Sequence, residues 1–182
     1  ALDLGHYSHP SYKGRERLPV ALAGHHGGSI GELKAFTLAA WIKPAAAMGK
    51  SSHSGGGDVI GFGARRFILR LNGATAPYKL QAALNVNDRF TAKADVAADR
   101  WQHVALTGEP AGKRWRVRLY LDGKEVLDAA TEKMENPAAP PPSLILGAEI
   151  FYFHDSYYRG LIGRTQVFGR ALSADEVAKA AR

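Results

Sequence analysis

The sequence predicts an all-β domain, a sandwich of two antiparallel sheets closed by one short C-terminal helix. Three observations carry this. Short runs rich in β-branched and aromatic residues, bounded by Gly, Pro, Asn or Asp, recur along the chain. The clearest of them alternates apolar and polar residues, as a strand with one face in the core must. No helical crossover, which a parallel sheet would require, separates the runs.

Seven runs read as strands: Phe36 to Lys43, Arg66 to Leu71, Lys79 to Val86, Trp101 to Thr107, Trp115 to Leu121, Ser143 to Gly147 and Leu161 to Phe168. In Arg114 to Leu121 the residues Trp115, Val117, Leu119 and Leu121 fall on one face, and Arg114, Arg116, Arg118 and Tyr120 on a wet one. Asp122-Gly123 then supplies the positive φ angles of a two-residue hairpin turn, and Lys124 to Leu127 returns as the partner strand. Near the end, Ser173-Ala174-Asp175-Glu176 has the spacing of a capping box, which predicts a helix over Ser173 to Ala181. Gly24 to Gly31, Gly49 to Gly57 and the Pro-rich Asn136 to Pro142 read as loops, each too short to tether separate domains. No internal repeat is evident.

Composition narrows the function classes. A chain of 182 residues is the size of one domain and buries about 70% of its unfolded surface without a covalent staple. The sequence is expected to form one domain over 1–182, and its start at Ala1 without Met fits a piece of a larger polypeptide. Zero Cys removes disulfides, thiolate metal sites and cysteine nucleophiles together. The formal charge of +7 favours acidic partners in general. No stretch reaches the roughly 20 apolar residues of a membrane span, and the N-terminus lacks the order of a signal peptide.

Three segments taken in order resemble a known family: LKAFTLAAWIKP, then DRWQHVALT with VRLYLDGKEV, then LILGAEI with YRGLIGRTQVFGRALSADEV. The chain resembles a laminin-G-like domain of the concanavalin A-like lectin/glucanase superfamily over about Leu33 to Val177. The resemblance implies a jelly-roll sandwich and favours an extracellular or periplasmic location. Bacterial relatives hold a structural calcium with an Asp on the last long strand and an N-terminal Asp-Gly. Here Gly163 and Arg164 stand at the first place and Asp3 at the second, which disfavours calcium because that ion needs several oxygen ligands. No cofactor is therefore expected.

The superfamily spans lectins, glycosidases and structural domains, so each candidate constellation stands on its own residues. Glycoside hydrolysis needs two carboxylates flanking the scissile bond. Asp122, Glu125 and Asp128 are the nearest cluster, but they belong to a hairpin turn and its return strand, so a glycosidase is disfavoured. Gly27-Gly28-Ser29-Ile30-Gly31 matches a nucleophile elbow, with His25 and His26 upstream, yet lacks the strand-turn-helix context that exposes such a Ser. His6, His9 and the His25-His26 pair read as loop polarity rather than zinc ligands. His103, on the side of Trp101, reads as packing. The Arg faces of two strands, Arg66 with Arg70 and Arg114 with Arg116 and Arg118, read as solvated or docked on a partner domain. Nucleic acid is disfavoured, since Tyr120 is the lone aromatic among them.

The segment Phe151 to Tyr158 carries the strongest ligand signal, because aromatic planes stack on sugar C–H faces while Asp, His and Ser bond hydroxyls. The resemblance implies an inward Tyr158, alternation buries a second ring such as Phe151 or Phe153, and Tyr152, His154, Asp155 and Tyr157 are the expected ligand-binding residues. The leading expectation is a noncatalytic module that binds a glycan or a neighbouring protein domain. The alternative is a structural accessory domain of a multidomain hydrolase, for example a dimethylformamidase-like amidohydrolase.

Overall fold

A computed structural model describes residues 2–3, 21–24, 35–48, 56–62, 67–84, 88–131, 143–147 and 158–182. The described strands are β1 (Leu2–Asp3), β2 (Ala21–Gly24), β3 (Phe36–Pro44), β4 (Gly56–Phe62), β5 (Phe67–Asn72), β6 (Tyr78–Leu84), β7 (Asp88–Val96), β8 (Gln102–Ala111), β9 (Arg114–Leu121), β10 (Lys124–Ala130), β11 (Ser143–Leu146) and β12 (Gly160–Phe168), followed by helix α1 (Ala174–Ala180). They form two antiparallel sheets of a jelly-roll sandwich, ordered β1-β12-β3-β8-β9-β10 and β2-β11-β4-β5-β6-β7. We call these the first and second sheets.

The seven expected strands are present, with boundaries shifted by a few residues. The Asp122-Gly123 turn has φ of 49° and 78°, the left-handed pair that matches the twist of the flanking strands. Four further strands escaped the sequence pattern. β4 begins inside the segment read as a Gly-rich loop, because Gly56, Gly57 and Gly61 dilute its β-branched content. β7 reads as charged and irregular, DRFTAKADV, which suits its place at a sheet edge where Lys and Asp discourage further pairing. β1 and β2 are two and four residues long, below the length at which alternation registers. Asn136 to Pro142 lies outside the described residues.

Between the sheets, alternate residues of each strand make one core. Phe36 of β3, Phe67 of β5 and Trp115 of β9 meet at its centre, with ring centroids 4.3 Å apart for Phe36–Phe67, 5.1 Å for Phe67–Trp115 and 5.9 Å for Phe36–Trp115. The tilted ring planes are the arrangement that aromatic quadrupoles favour. Phe36 lies over Gly108, its partner across the β3–β8 ladder. A Cβ there would fall 2.3 and 2.4 Å from the Phe36 ring carbons Cε1 and Cζ.

The outer face of the first sheet is not simply wet. Leu172 and Val177 pack onto Ala39, Ala105 and Tyr120, so Tyr120 is buried rather than exposed as its alternation suggested. The capping box holds this helix: Ser173 Oγ accepts from the Glu176 N–H and the Glu176 carboxylate accepts from the Ser173 N–H. Arg170 forks onto the same carboxylate, and its guanidinium, with these backbone and hydroxyl donors, holds Glu176 down to about 2. Thr37 Oγ1 accepts from the Leu172 N–H and donates to the Arg170 carbonyl, fixing the approach to the helix.

Gly108→Ala has no room to relax, because Phe36 is already wedged against Phe67 and Trp115. The substitution is expected to lower unfolding free energy by about 1–3 kcal/mol, the usual cost of overpacking. Urea unfolding of the two proteins measures it; equal midpoints would show that the ring yields freely.

Candidate ligand-binding face

The second sheet places a polar row on the side away from the core. Leu69 and Leu71 of β5 and Leu80 and Ala82 of β6 point inward, so the residues between them point outward. Register then aligns four strands: Asp58 opposes Arg70, Arg70 opposes Gln81, and Gln81 opposes Thr91. A bulge between Asp58 and Ile60 keeps the row in step by letting Val59 and Ile60 both reach the core.

The row is buried over most of its length. Asp58, Arg70 and Gln81 are 3%, 5% and 5% exposed, and Thr91 on the edge strand is exposed. Arg70 Nε stands 3.0 Å from Asp58 Oδ1. Gln81 Nε2 donates to Thr91 Oγ1 at 2.7 Å, while Gln81 Oε1 has no hydrogen-bond partner among the described residues. A buried acceptor left without a donor costs about 1–3 kcal/mol. Beside the polar row lies a second row of small or apolar residues, Gly61, Ile68 and Ala83, aligned by the same register. The pair of rows sets hydrogen-bonding groups next to apolar ones, with Gly61 and Ala83 buried, Ile68 half-buried and Thr91 the exposed end. That combination suits an amphipathic ring bearing hydroxyls.

The residues expected from sequence to bind ligand, Tyr152, His154, Asp155 and Tyr157, lie outside the described residues, as do Arg66, Ser29, His6, His9, His25 and His26. Tyr158, expected to point inward, is fully buried in the core. Arg70 differs from expectation: it is neither solvated nor free to dock a partner, because the sheet buries it against Asp58. On the other Arg face two of the three are neutralised, while Arg114 is exposed. Arg116 pairs with Asp128, and Arg118 lies 2.9 Å from Glu109, 3.7 Å from Asp128 and 3.9 Å from Glu125. Asp128 and Glu125 are thus structural counter-charges, and Asp122 accepts from the His103 N–H and pairs with Arg100. Sequence reasoning missed Asp58, Gln81 and Thr91, whose types are ordinary at a sheet surface; only strand register brings them together.

At the place read for a calcium carboxylate, Gly163 sits against indole carbons of Trp101 at 3.1 and 3.3 Å from where a Cβ would stand. An apolar ring, not an oxygen, occupies that side. Among the described residues no group of three or more His, Asp or Glu is placed to hold a metal, and no helix is long and apolar enough to cross a membrane.

A family model described as the concanavalin A-like lectin/glucanases superfamily matches residues 21–178. No curated protein sequence matches the chain. Among solved structures, the chain is similar to the native heptameric SAP-like pentraxin from Limulus polyphemus, at 15% identity and TM-score 0.63, covering 90% of this chain and 81% of that one. It is similar to domain 4 of an extracellular arabinanase from Geobacillus stearothermophilus, in complex with arabinotriose, at 17% identity and TM-score 0.57, covering 98% of both. A third is the CBM40 of Ruminococcus gnavus IT-sialidase bound to alpha2,3 sialyllactose, at 17% identity and TM-score 0.62, covering 84% and 85%. At these identities the likeness is one of fold.

His103 supplies a pH dependence. It is 1% exposed, neither ring nitrogen has a hydrogen-bond partner among the described residues, and its ring meets Trp41 edge-on at 5.6 Å. Burial lowers its pKa; Asp122 acts against that shift and Arg164 with it. The unfolded chain, with a His pKa near ~6.5, therefore binds the proton first as pH falls. Stability is complete above that value and declines below it, until the folded-state pKa is passed. His103→Phe keeps an aromatic ring on Trp41 and is expected to lose less stability than wild type between pH 7 and pH 5, read as the difference of two melting-temperature profiles. Parallel profiles would contradict the assignment.

Proposed function

The chain belongs to the concanavalin A-like lectin/glucanases superfamily, and on that premise we propose that it is a noncatalytic carbohydrate-binding module whose binding face is the outer side of the second sheet. The single observation that carries this reading is the four-strand row Asp58–Arg70–Gln81–Thr91, with an unsatisfied Gln81 acceptor beside an apolar strip. A sugar ring seated at the exposed Thr91 end of the row would exchange hydrogen bonds with Thr91 and, reaching inward, supply the donor that the buried Gln81 Oε1 lacks. The row offers one carboxylate, tied to Arg70, where glycosidic hydrolysis needs two.

Two solved structures of similar fold carry arabinotriose and alpha2,3 sialyllactose, which supports a glycan as the ligand class. Tyr152, His154, Asp155 and Tyr157 are proposed as further contacts to the same ligand, and an extracellular or periplasmic location fits such a module. The accessory-domain alternative drew on Arg-rich faces available for docking. The carboxylates around Arg116 and Arg118 weaken that motive.

A glycan array followed by isothermal titration tests the proposal. Gln81→Ala is expected to weaken the best glycan by roughly three- to tenfold, the net worth of one or two neutral hydrogen bonds. Thr91→Ala should act in the same direction. Asp58→Asn is a poor probe, since breaking a buried pair costs about 3–5 kcal/mol of stability. Absence of binding to every glycan, or binding unaffected by Gln81→Ala and Thr91→Ala, would overturn the assignment.

A further inference from the structure

The first sheet carries a second constellation on its own outer face, built by a bulge in β12. Ile162 opposes Ile42 and Thr165 opposes Ala40, leaving Gly163 and Arg164 across from Trp41 alone. Ile42 and Ala40 face the core, so the two residues between their partners both turn outward. Gly163 makes a seat without a side chain. The Cζ3 and Cη2 atoms of Trp101 would lie 3.1 and 3.3 Å from a Cβ at that position, and Trp41 Cβ 3.4 Å from it.

Trp101 is thereby fixed against backbone while 39% of it stays exposed, the largest such exposure of a bulky apolar residue among those described. Its neighbour across the bulge is an exposed cation. Arg164, like Arg89 and Arg114, has no ion-pair partner among the described residues, whereas Arg70, Arg100, Arg116, Arg118 and Arg170 each have one. It lies near enough to the buried His103 ring to oppose its protonation. A rigid exposed indole beside an unpaired guanidinium has a definite complement: a ring with an apolar face and a carboxylate at its edge.

We infer that Trp101 and Arg164 form a second binding site, for an acidic saccharide such as a uronic acid, with the sugar's C–H face on the indole and its carboxylate forked onto Arg164. An acidic peptide would use the guanidinium and leave the indole bare; a neutral sugar would do the reverse. The site lies on the opposite sheet from the polar row and does not rest on it.

The test uses short galacturonate oligomers and their methyl esters, in which a methyl group replaces the carboxylate charge, titrated into the full chain and followed by calorimetry and by iodide quenching of tryptophan fluorescence. The acid is expected to bind more tightly than the ester and to protect tryptophan from iodide. Arg164→Gln, at an exposed position, should weaken the acid roughly tenfold or more, as befits a hydrogen bond to a charged group, and erase the preference over the ester. Trp101→Ala should remove the protection. Gln81→Ala should leave both signals unchanged. No binding of the acid, a preference for acid that survives Arg164→Gln, or loss of acid binding in Gln81→Ala would each overturn the inference, the last by moving the acid to the polar row.

Discussion

The contact among Phe36, Phe67 and Trp115 is the one on which the remaining structure depends. With no cysteine in the chain, nothing covalent joins the two sheets. What joins them is the exclusion of water from their facing sides, about 1.5–3 kcal/mol for each large apolar side chain fully buried. These three rings span the gap from both sheets at once. Gly108 is the complementary constraint: the first sheet gives up a side chain there so that Phe36 can lie flat enough to reach Phe67.

Committing alternate residues to the core leaves the other half of each strand for chemistry, and the two outer faces use it differently. The first sheet covers much of its outer face with α1 and a lattice in which Arg116 and Arg118 face Asp128, Glu109 and Glu125. Exposed pairs of this kind contribute about 0–1 kcal/mol each, so the lattice cancels charge more than it stabilises. The second sheet instead buries Asp58 and Arg70 together. Desolvating both ions costs several kcal/mol, which their attraction has to offset, and a hydrophobic pair would avoid that cost. Burying the pair leaves Thr91, at the edge-strand end, as the one member of the four-residue row that is open to solvent.

Much of the fold was legible in the sequence because its strands alternate cleanly and its turn and cap are chemically specific: Asp122-Gly123 and Ser173 with Glu176 did what their types require. β4 and β7 were not legible, one hidden by three glycines and the other by edge-strand charge. The candidate face was less legible still. Asp58, Arg70, Gln81 and Thr91 span 34 positions of sequence, and only the hydrogen-bond register of four strands aligns them. Tyr120 shows the complementary limit. Alternation assigns a side of the sheet correctly, but whether that side is wet depends on where a helix that starts 54 residues later comes to rest.

The bulge at Gly163 and Arg164 bears on what such a module could do with a glycan. Sheets of a sandwich pack about 10 Å apart, so sites on their two outer faces are separated by the whole thickness of the domain and point in opposite directions. One short oligosaccharide cannot reach both. Any gain from having two sites must come from a ligand long enough to wrap the domain, or from separate chains bridged by it, and in both cases effective concentration rather than new contacts sets the gain. The two faces also differ in charge: Arg70 is neutralised by Asp58 in the polar row, while Arg164 has no ion-pair partner among the described residues. A neutral stretch and a carboxylated stretch of one heterogeneous polysaccharide would therefore be sorted to opposite sides of the same domain.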